Sequence, residues 1–368
     1  MQQEAENRIV MTLDAGGTNF VFSAIQGGNE ILKPVRLPSN AHDLDLCLET
    51  MIEGFNKVLA SLDKKPVAIS FAFPGPADYP AGIIGDLPNL PAFRGGIAIG
   101  PMLEREFGLP VFINNDGNLF AYGEAISGYL PYINGLIEKS GSPKRFHNLV
   151  GFTLGTGFGA GIVLNGELLI GDNSSAGEAW LLRDMANVKT NIEESISIRA
   201  IKNAYSAKAG LKFKDAPEPK DIFEIATGFR NGDKDAAVYS YEKMGAALGE
   251  AIATVNTLVD GLVVLGGGIS AAYPAFLDAA VLAMNSSFYT NGESFPRLVM
   301  KVFNLENQDD LKQFVKGDSK MIKVPLTDEK MLYDPLVRTG IGVSRLGTSK
   351  AVSIGAYAYA IRKLDAEK

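Results

Sequence analysis

Three times in this chain an apolar, β-branched run stops at a cluster of glycines. Residues 9–13 end in Asp14-Ala15-Gly16-Gly17-Thr18, residues 148–154 in Gly155-Thr156-Gly157-Phe158-Gly159, and residues 261–265 in Gly266-Gly267-Gly268. A strand that ends on bare backbone can present its N–H groups closely to a phosphate, because no Cβ intervenes. In the first cluster Thr18 adds a hydroxyl donor, and Asp14 is a candidate to hold Mg2+ or its waters. An ordinary hairpin turn accounts for the same residues, since residues 21–25 read as a returning strand. The second cluster repeats the design: residues 162–164 continue as strand, and Asn165-Gly166 supplies a further hairpin turn. Its Gly155-x-Gly157-x-x-Ala160 spacing mimics a dinucleotide fingerprint, but that fingerprint must open a helix, and here a strand follows. The third cluster ends a buried, parallel-type strand and would admit a nucleotide base and ribose against bare backbone.

A chain of 368 residues is too long for one ordinary core, so two domains are expected. A net charge of −7 opposes a nucleic-acid surface, which needs clustered Lys and Arg. Residues 1–8 lack the basic-then-apolar pattern of a secretory signal, and no uncharged apolar run is long enough to span a membrane. The expected location is the cytoplasm. A single cysteine, Cys47, rules out an intrachain disulfide and any multi-cysteine zinc site.

Between the glycine clusters, residues 43–61 show helical spacing and residues 66–73 a buried strand that stops at Pro74-Gly75-Pro76. Such a turn either delivers a loop to a ligand site or is a plain turn. A polar-tipped loop at 86–90 holds Asn89. A helix over 97–107 closes at Gly108, and a strand over 109–113 ends in Asn114-Asn115-Asp116-Gly117-Asn118. Asn118 suits the N-cap of a helix over 119–126. Asp116, two residues earlier, is the better candidate for a carboxylate that takes a proton from a substrate hydroxyl. Residues 127–148 read as a surface excursion, a solvated loop or short helix, and Thr190 or Asn191 with the following acids as a helix cap. The small residues of 244–258 suit packing on a sheet. Residues 285–340, with Asp318, Asp328 and Asp334, carry no clear period, and 349–364 reads as a small-residue helix.

Together these residues resemble the ROK family (repressors, open reading frames, sugar kinases) of the actin-like ATPase and hexokinase superfamily. The matching stretches, in order, are Asp14-Ala15-Gly16-Gly17-Thr18, Pro74-Gly75-Pro76, Pro88-Asn89-Leu90, Asn115-Asp116-Gly117-Asn118, Gly155-Thr156-Gly157-Phe158-Gly159, Ala176-Gly177-Glu178, Leu265-Gly266-Gly267-Gly268-Ile269 and Ser353-Ile354-Gly355-Ala356. The resemblance implies an α/β fold of two ribonuclease-H-like domains, actin-like in type, with an interdomain active-site cleft. The expected domains are 1–117, completed by a C-terminal helix at 350–368, and 118–349. It further implies an ATP- and Mg2+-dependent kinase acting on a hexose or an N-acylated amino sugar, with Asp116 as the base. Asn89, Asn115, Glu178, Glu193 and Gly75 would hold the sugar. Asp14, Gly16, Gly17 and Thr18 would form the first phosphate loop, with Asp14 near Mg2+. Gly155, Thr156 and Gly157 would form the second, and Gly266, Gly267 and Gly268 the adenosine loop. A homodimer is the implied assembly, with no nucleic acid and no membrane as partner.

The chain departs from the family at two places. Where the family often has Gly-Glu-Ile-Gly-His, whose histidine contacts the sugar and often a zinc ion, this chain has Gly177-Glu178-Ala179-Trp180-Leu181. The family's cysteine-rich segment falls at about 184–193 and here contains no cysteine, so no structural zinc is expected. The rival readings are a non-catalytic sugar-binding or sensor protein without a DNA-binding domain, and an acyl or polyol kinase of the same superfamily.

Overall fold

Strand β1 (Ile9–Ala15) is buried from Ile9 to Leu13 and emerges at Asp14, where its apolar run ends. It pairs antiparallel with β2 (Asn19–Gln26), which carries the short strands β3 (Asn29–Glu30) and β4 (Val35–Pro38). Helix α1 (Leu44–Ala60) starts where the Asp43 carboxylate accepts the Leu46 N–H at 3.1 Å, and it leads to β5 (Ala68–Ala72), parallel to β1. A small hairpin of β6 (Ala77–Asp78) and β7 (Ile83–Ile84) precedes α2 (Ile99–Phe107), which a left-handed Gly108 closes. Strand β8 (Val111–Asn114) then adds parallel to β5, and α3 (Asp116–Ile126) follows at once. The sheet order is β3-β2-β1-β5-β8. The computed structural model describes residues 6–87 and 92–366.

The second sheet begins after α4 (Tyr129–Lys139). Strands β9 (Leu149–Leu154) and β10 (Phe158–Leu164) form an antiparallel hairpin, with β11 (Glu167–Leu168) at its edge. Helices α5 (Ile198–Ala209), α6 (Pro219–Ala226) and α7 (Lys234–Val259) lead to β12 (Leu262–Gly266), parallel to β9. Helix α8 (Leu277–Met284) and a hairpin of β13 (Ser287–Thr290) and β14 (Glu293–Pro296) precede β15 (Lys301–Asn304). Then come α9 (Gln308–Lys316), a hairpin of β16 (Lys320–Lys323) and β17 (Lys330–Tyr333), and β18 (Arg338–Val343). The order β10-β9-β12-β18 repeats β2-β1-β5-β8: one antiparallel pair, then parallel strands. Both sheets are accompanied by helices, which makes the class α/β.

The chain divides into a unit of 1–127, 168–176 and 346–368 and a unit of 128–167 and 177–345. The first division falls after Ser127, where residue 117 was expected, because α3 packs along the C-terminal helix (Thr348–Ala366) of its own unit. These helices meet through two glycines. A Cβ on Gly355 would stand 1.9 Å from the Leu119 carbonyl oxygen, and one on Gly123 would stand 2.0 Å from that of Ala351. The other side of the C-terminal helix places Tyr357 and Ala360 against Val10, Ile25 and Ala68 of the sheet. No described helix is long and apolar enough to cross a membrane.

Two local expectations need correction, and two segments gain detail. Residues 129–139 form a helix that is not a solvated excursion, since Tyr129, Leu130, Ile133 and Ile137 are buried; Pro131 and Gly135 within it masked the apolar stripe. The cap of α3 is Asn115, whose Oδ1 accepts the Gly117 N–H at 2.8 Å; Asn118 lies inside the helix, buried, and donates to Asn114 at 2.9 Å. The small residues of α7 serve a helix contact as well as the sheet: Leu248 and Ile252 share a core with Phe152 and Val263, and Cβ atoms on Gly245 and Gly249 would each come within 2.3 Å of a carbonyl oxygen, those of Phe276 and Ala280. Within the segment 285–340, Asp334 accepts from Arg338 Nη1 (2.8 Å), Ser142 Oγ (3.0 Å) and the Asp318 and Leu336 N–H groups. Burial pushes that carboxyl's pKa up, but these donors outweigh it and hold the pKa below the ordinary Asp range.

Candidate functional site

In the first unit, the register of the parallel strands sets three loops in a row. Asp14 of β1 faces Ala72 of β5, and Ala72 faces Asn114 of β8. With neighbouring strands about 4.8 Å apart, the Asp14 turn, the Pro74-Gly75-Pro76 loop and Asn115-Asp116 leave adjacent carboxyl ends of one sheet. In the turn after β1 the Gly16 N–H donates to the Asn19 carbonyl at 3.1 Å. That commitment leaves the N–H groups of Gly17 and Thr18, and the Thr18 hydroxyl, as the donors this exposed turn can offer. Ser39, which the sequence reading did not single out, braces the turn: its N–H donates to the Thr18 carbonyl (3.0 Å) and its Oγ to the Gly17 carbonyl (2.6 Å). Tyr79, also missed, donates its hydroxyl to the Phe73 carbonyl at 3.0 Å and lies 3.1 Å from where a Gly75 Cβ would be.

Asp116 is the first residue of α3, and its Oδ1 accepts the Gly117 N–H at 2.9 Å. Its side chain reaches solvent, yet protein atoms crowd its surroundings. That desolvation raises its pKa above the ordinary Asp value; the Gly117 and Asp116 N–H groups oppose the rise, and the negative charge of Asp14 adds to it. Asp14 and Asp116 are thus electrostatic neighbours, as two ends of one row of strands should be. Asn115 spends its Oδ1 on the helix cap. Asn89 lies outside the described residues.

In the second unit, the Gly155 N–H donates to the Gly157 carbonyl at 3.0 Å, closing a three-residue loop between β9 and β10. The loop after β12 lies beside it, since Gly266 pairs with Thr153. Gly267 holds φ at +84°, and a Cβ there would stand 2.3 Å from the Leu154 carbonyl oxygen, so the two glycine loops approach through bare backbone. Gly268 is exposed with nothing within 4 Å of a built Cβ. Glu178 precedes a 3-10 turn (Ala179–Leu181), and the Trp180 Nε1–H donates to its Oε2. Leu181 is 58% exposed. Glu193 lies in the 3-10 turn Ile192–Ser195, and no capping bond forms there: its Oε2 accepts the Phe158 N–H at 2.9 Å. The segment without cysteine is tied by Asp184, buried, which accepts from the Ala186 N–H (2.8 Å) and Ser195 Oγ (2.7 Å).

The family model described as ROK matches residues 10–309. A crystal structure of a glucokinase from Parabacteroides distasonis superposes with a TM-score of 0.90 at 50% identity, covering 98% of this chain and 99% of its own. A glucokinase of Thermotoga maritima is 27% identical over 280 residues, 71% of this chain and 82% of its own. An N-acetyl-D-glucosamine kinase of Vibrio parahaemolyticus is 28% identical over 268 residues, 70% and 83% respectively.

Proposed function

The chain belongs to the ROK family, and on that premise we propose that it transfers the γ-phosphate of ATP to one hydroxyl of a hexose or an N-acylated amino sugar, with Asp116 as the base. Its relatives named as glucokinases and N-acetyl-D-glucosamine kinases make it an ATP-dependent sugar kinase. The observation that carries the finer reading is the placement of Asp14 and Asp116 at the carboxyl ends of β1 and β8, the two parallel strands that flank β5, with the basicity of Asp116 raised.

Phosphoryl transfer asks little covalent chemistry of a protein, so catalysis rests on positioning and charge. Asp116 accepts the proton of the acceptor hydroxyl as the hydroxyl oxygen attacks the γ-phosphorus, whose bond to the β,γ-bridging oxygen breaks to release ADP. A carboxylate made more basic by desolvation does this better, provided it stays ionised at working pH. Gly17, Thr18, Thr156 and Gly157 supply donors to phosphate oxygens, and Gly266, Gly267 and Gly268 offer bare backbone to the adenosine. Glu178, Glu193, Asn115, Asn89 and Gly75 are assigned to the sugar, whose vicinal hydroxyls suit paired carboxylate and amide groups. An exposed lone carboxylate fits Mg2+, which keeps most of its waters and leans on substrate phosphates; Asp14 is that group. Among the described residues no cluster of three or more His, Cys, Asp or Glu could hold a metal by itself. When bound, Mg2+ neutralises charge on the phosphates.

The test is ADP release from Mg·ATP across hexoses, N-acetylhexosamines, ketoses and polyols, with phosphorus NMR to name the hydroxyl modified. Sugar-dependent release supports the reading and names the acceptor. Saturable sugar binding without any release contradicts it and makes the protein a sugar sensor.

A further inference from the structure

We infer that Glu193 is a positioning residue for the glycine loop at 155–157, fixing its shape with one carboxylate oxygen while the other serves the sugar. The inference rests on the assignment of that loop to ATP phosphates and of Glu193 to the acceptor.

Glu193 Oε2 accepts the N–H of Phe158, the first residue after the loop, at 2.9 Å. A Cβ on Gly157 would stand 2.9 Å from the same oxygen, closer than such contacts occur. The carboxylate tip therefore occupies the space a Cβ at 157 would take and would have to leave its present position to admit one. Gly155 differs, with nothing within 4 Å of a built Cβ. The start of the loop is held from the same segment, because the Ile198 N–H donates to the Gly155 carbonyl at 3.0 Å. Residues 193–198 thus grip the loop at both ends.

The other oxygen is differently placed. Arg199 Nη2 bonds Glu194 Oε1 at 2.6 Å and reaches Glu193 Oε1 only at 3.5 Å, too long for a strong hydrogen bond. Oε1 keeps acceptor capacity for a sugar hydroxyl while Oε2 is spent on the loop. A residue that serves the loop and the sugar at once links the two ligands energetically, and that link is reciprocal.

The experiment measures AMPPNP affinity by calorimetry with no sugar present, alongside the sugar KM, for the parent, Glu193→Gln and Glu193→Ala. The Gln carbonyl can still accept the Phe158 N–H; Ala cannot. Losing that bond should weaken sugar-free AMPPNP binding about fivefold in Glu193→Ala, with Glu193→Gln within about twofold of the parent. Both variants should raise the sugar KM. A role confined to the sugar leaves sugar-free AMPPNP affinity unchanged in both variants, and that result overturns the inference while sparing the proposed function. If Glu193→Ala does not fold, Gly157→Ala replaces it: the new Cβ crowds the carboxylate, and an unchanged sugar KM overturns the inference. A parent that neither binds AMPPNP nor turns over any sugar refutes the functional reading, and the inference falls with it.

Discussion

Replacing Gly355 with alanine sets two effects of opposite sign against each other. Alanine is the better helix former by about 1 kcal/mol, so propensity alone makes Gly355→Ala stabilising. Geometry argues otherwise. The new Cβ would lie 1.9 Å from the Leu119 carbonyl oxygen, 2.8 Å from its carbon and 3.1 Å from the Gly123 nitrogen. All three are backbone atoms of the facing helix, so no side chain can swing aside. Reaching a tolerable C···O distance of about 3.3 Å requires the helices to part by roughly 1.4 Å. A gap of that order forfeits a large part of the dispersion energy along the contact. Overpacking of this kind costs about 1–3 kcal/mol; set against the gain of about 1 kcal/mol in propensity, a net loss of about 1 kcal/mol is expected, or about 2–4 °C in Tm for a unit of this size. Gly135 in α4 is the control: nothing lies within 4 Å of its Cβ position, so Gly135→Ala should gain about 0.5–1 kcal/mol. Gly123→Ala with Gly355→Ala should cost less than the two apart, because one opening accommodates both methyls. Thermal unfolding of the parent and these four variants, with Gly123→Ala alone among them, decides it. If Gly355→Ala melts at or above the parent, or shifts with the same sign as Gly135→Ala, the account of this interface is wrong.

Other expectations follow from single contacts. Ser39→Ala removes the 2.6 Å bond to the Gly17 carbonyl but keeps the backbone bond to Thr18, so the KM for ATP should rise about threefold to tenfold with the sugar KM unchanged; steady-state kinetics check both. Trp180→Phe keeps a ring against the core but removes the donor to Glu178, and the sugar KM should rise about tenfold while the ATP KM stays put. Trp180 is the chain's one tryptophan, so the parent's intrinsic fluorescence should change on titration with sugar, and silence there speaks against the Glu178 assignment. Asp116 has a raised pKa in the folded protein, so the fold binds its proton more tightly than the unfolded chain does. Its ionised form therefore costs stability at neutral pH. Asp116→Asn should accordingly melt later than the parent at pH 7. The difference should fade as pH falls through the carboxylate range, where Asp116 too becomes neutral; unfolding curves against pH measure it.

The strand-and-turn frame was legible because β1, β5, β9 and β12 are buried on both faces, and such strands read as unbroken apolar runs that end at glycines. Asp116 stood out because a strand delivers it directly to a helix start. What stayed hidden was tertiary in origin. Nothing local marks Ser39 or Tyr79, whose role is to hold the carbonyls of loops distant in sequence or across a turn. Glu193 read as a capping acid because its neighbours suit a cap, whereas its partner, Phe158, lies 35 residues away. The helix over 129–139 was obscured by Pro131 and Gly135, though Pro131 stands in the first turn, where no intrahelical N–H is lost. The segment 285–340 had no readable period because it is made of short pieces joined by tertiary contacts: Asp334 pairs with the buried Arg338 four residues on and accepts from Ser142 and Asp318.

The central claim is that Asp116 takes the proton of a sugar hydroxyl, and turnover by Asp116→Asn tests it most directly. Asparagine keeps the shape and can still accept the Gly117 N–H, so the fold and the nucleotide affinity should survive. Sugar-dependent ADP release should fall by about a hundredfold or more, the usual contribution of a positioned base. A folded Asp116→Asn protein that turns over sugar at near the parent's rate would contradict the account.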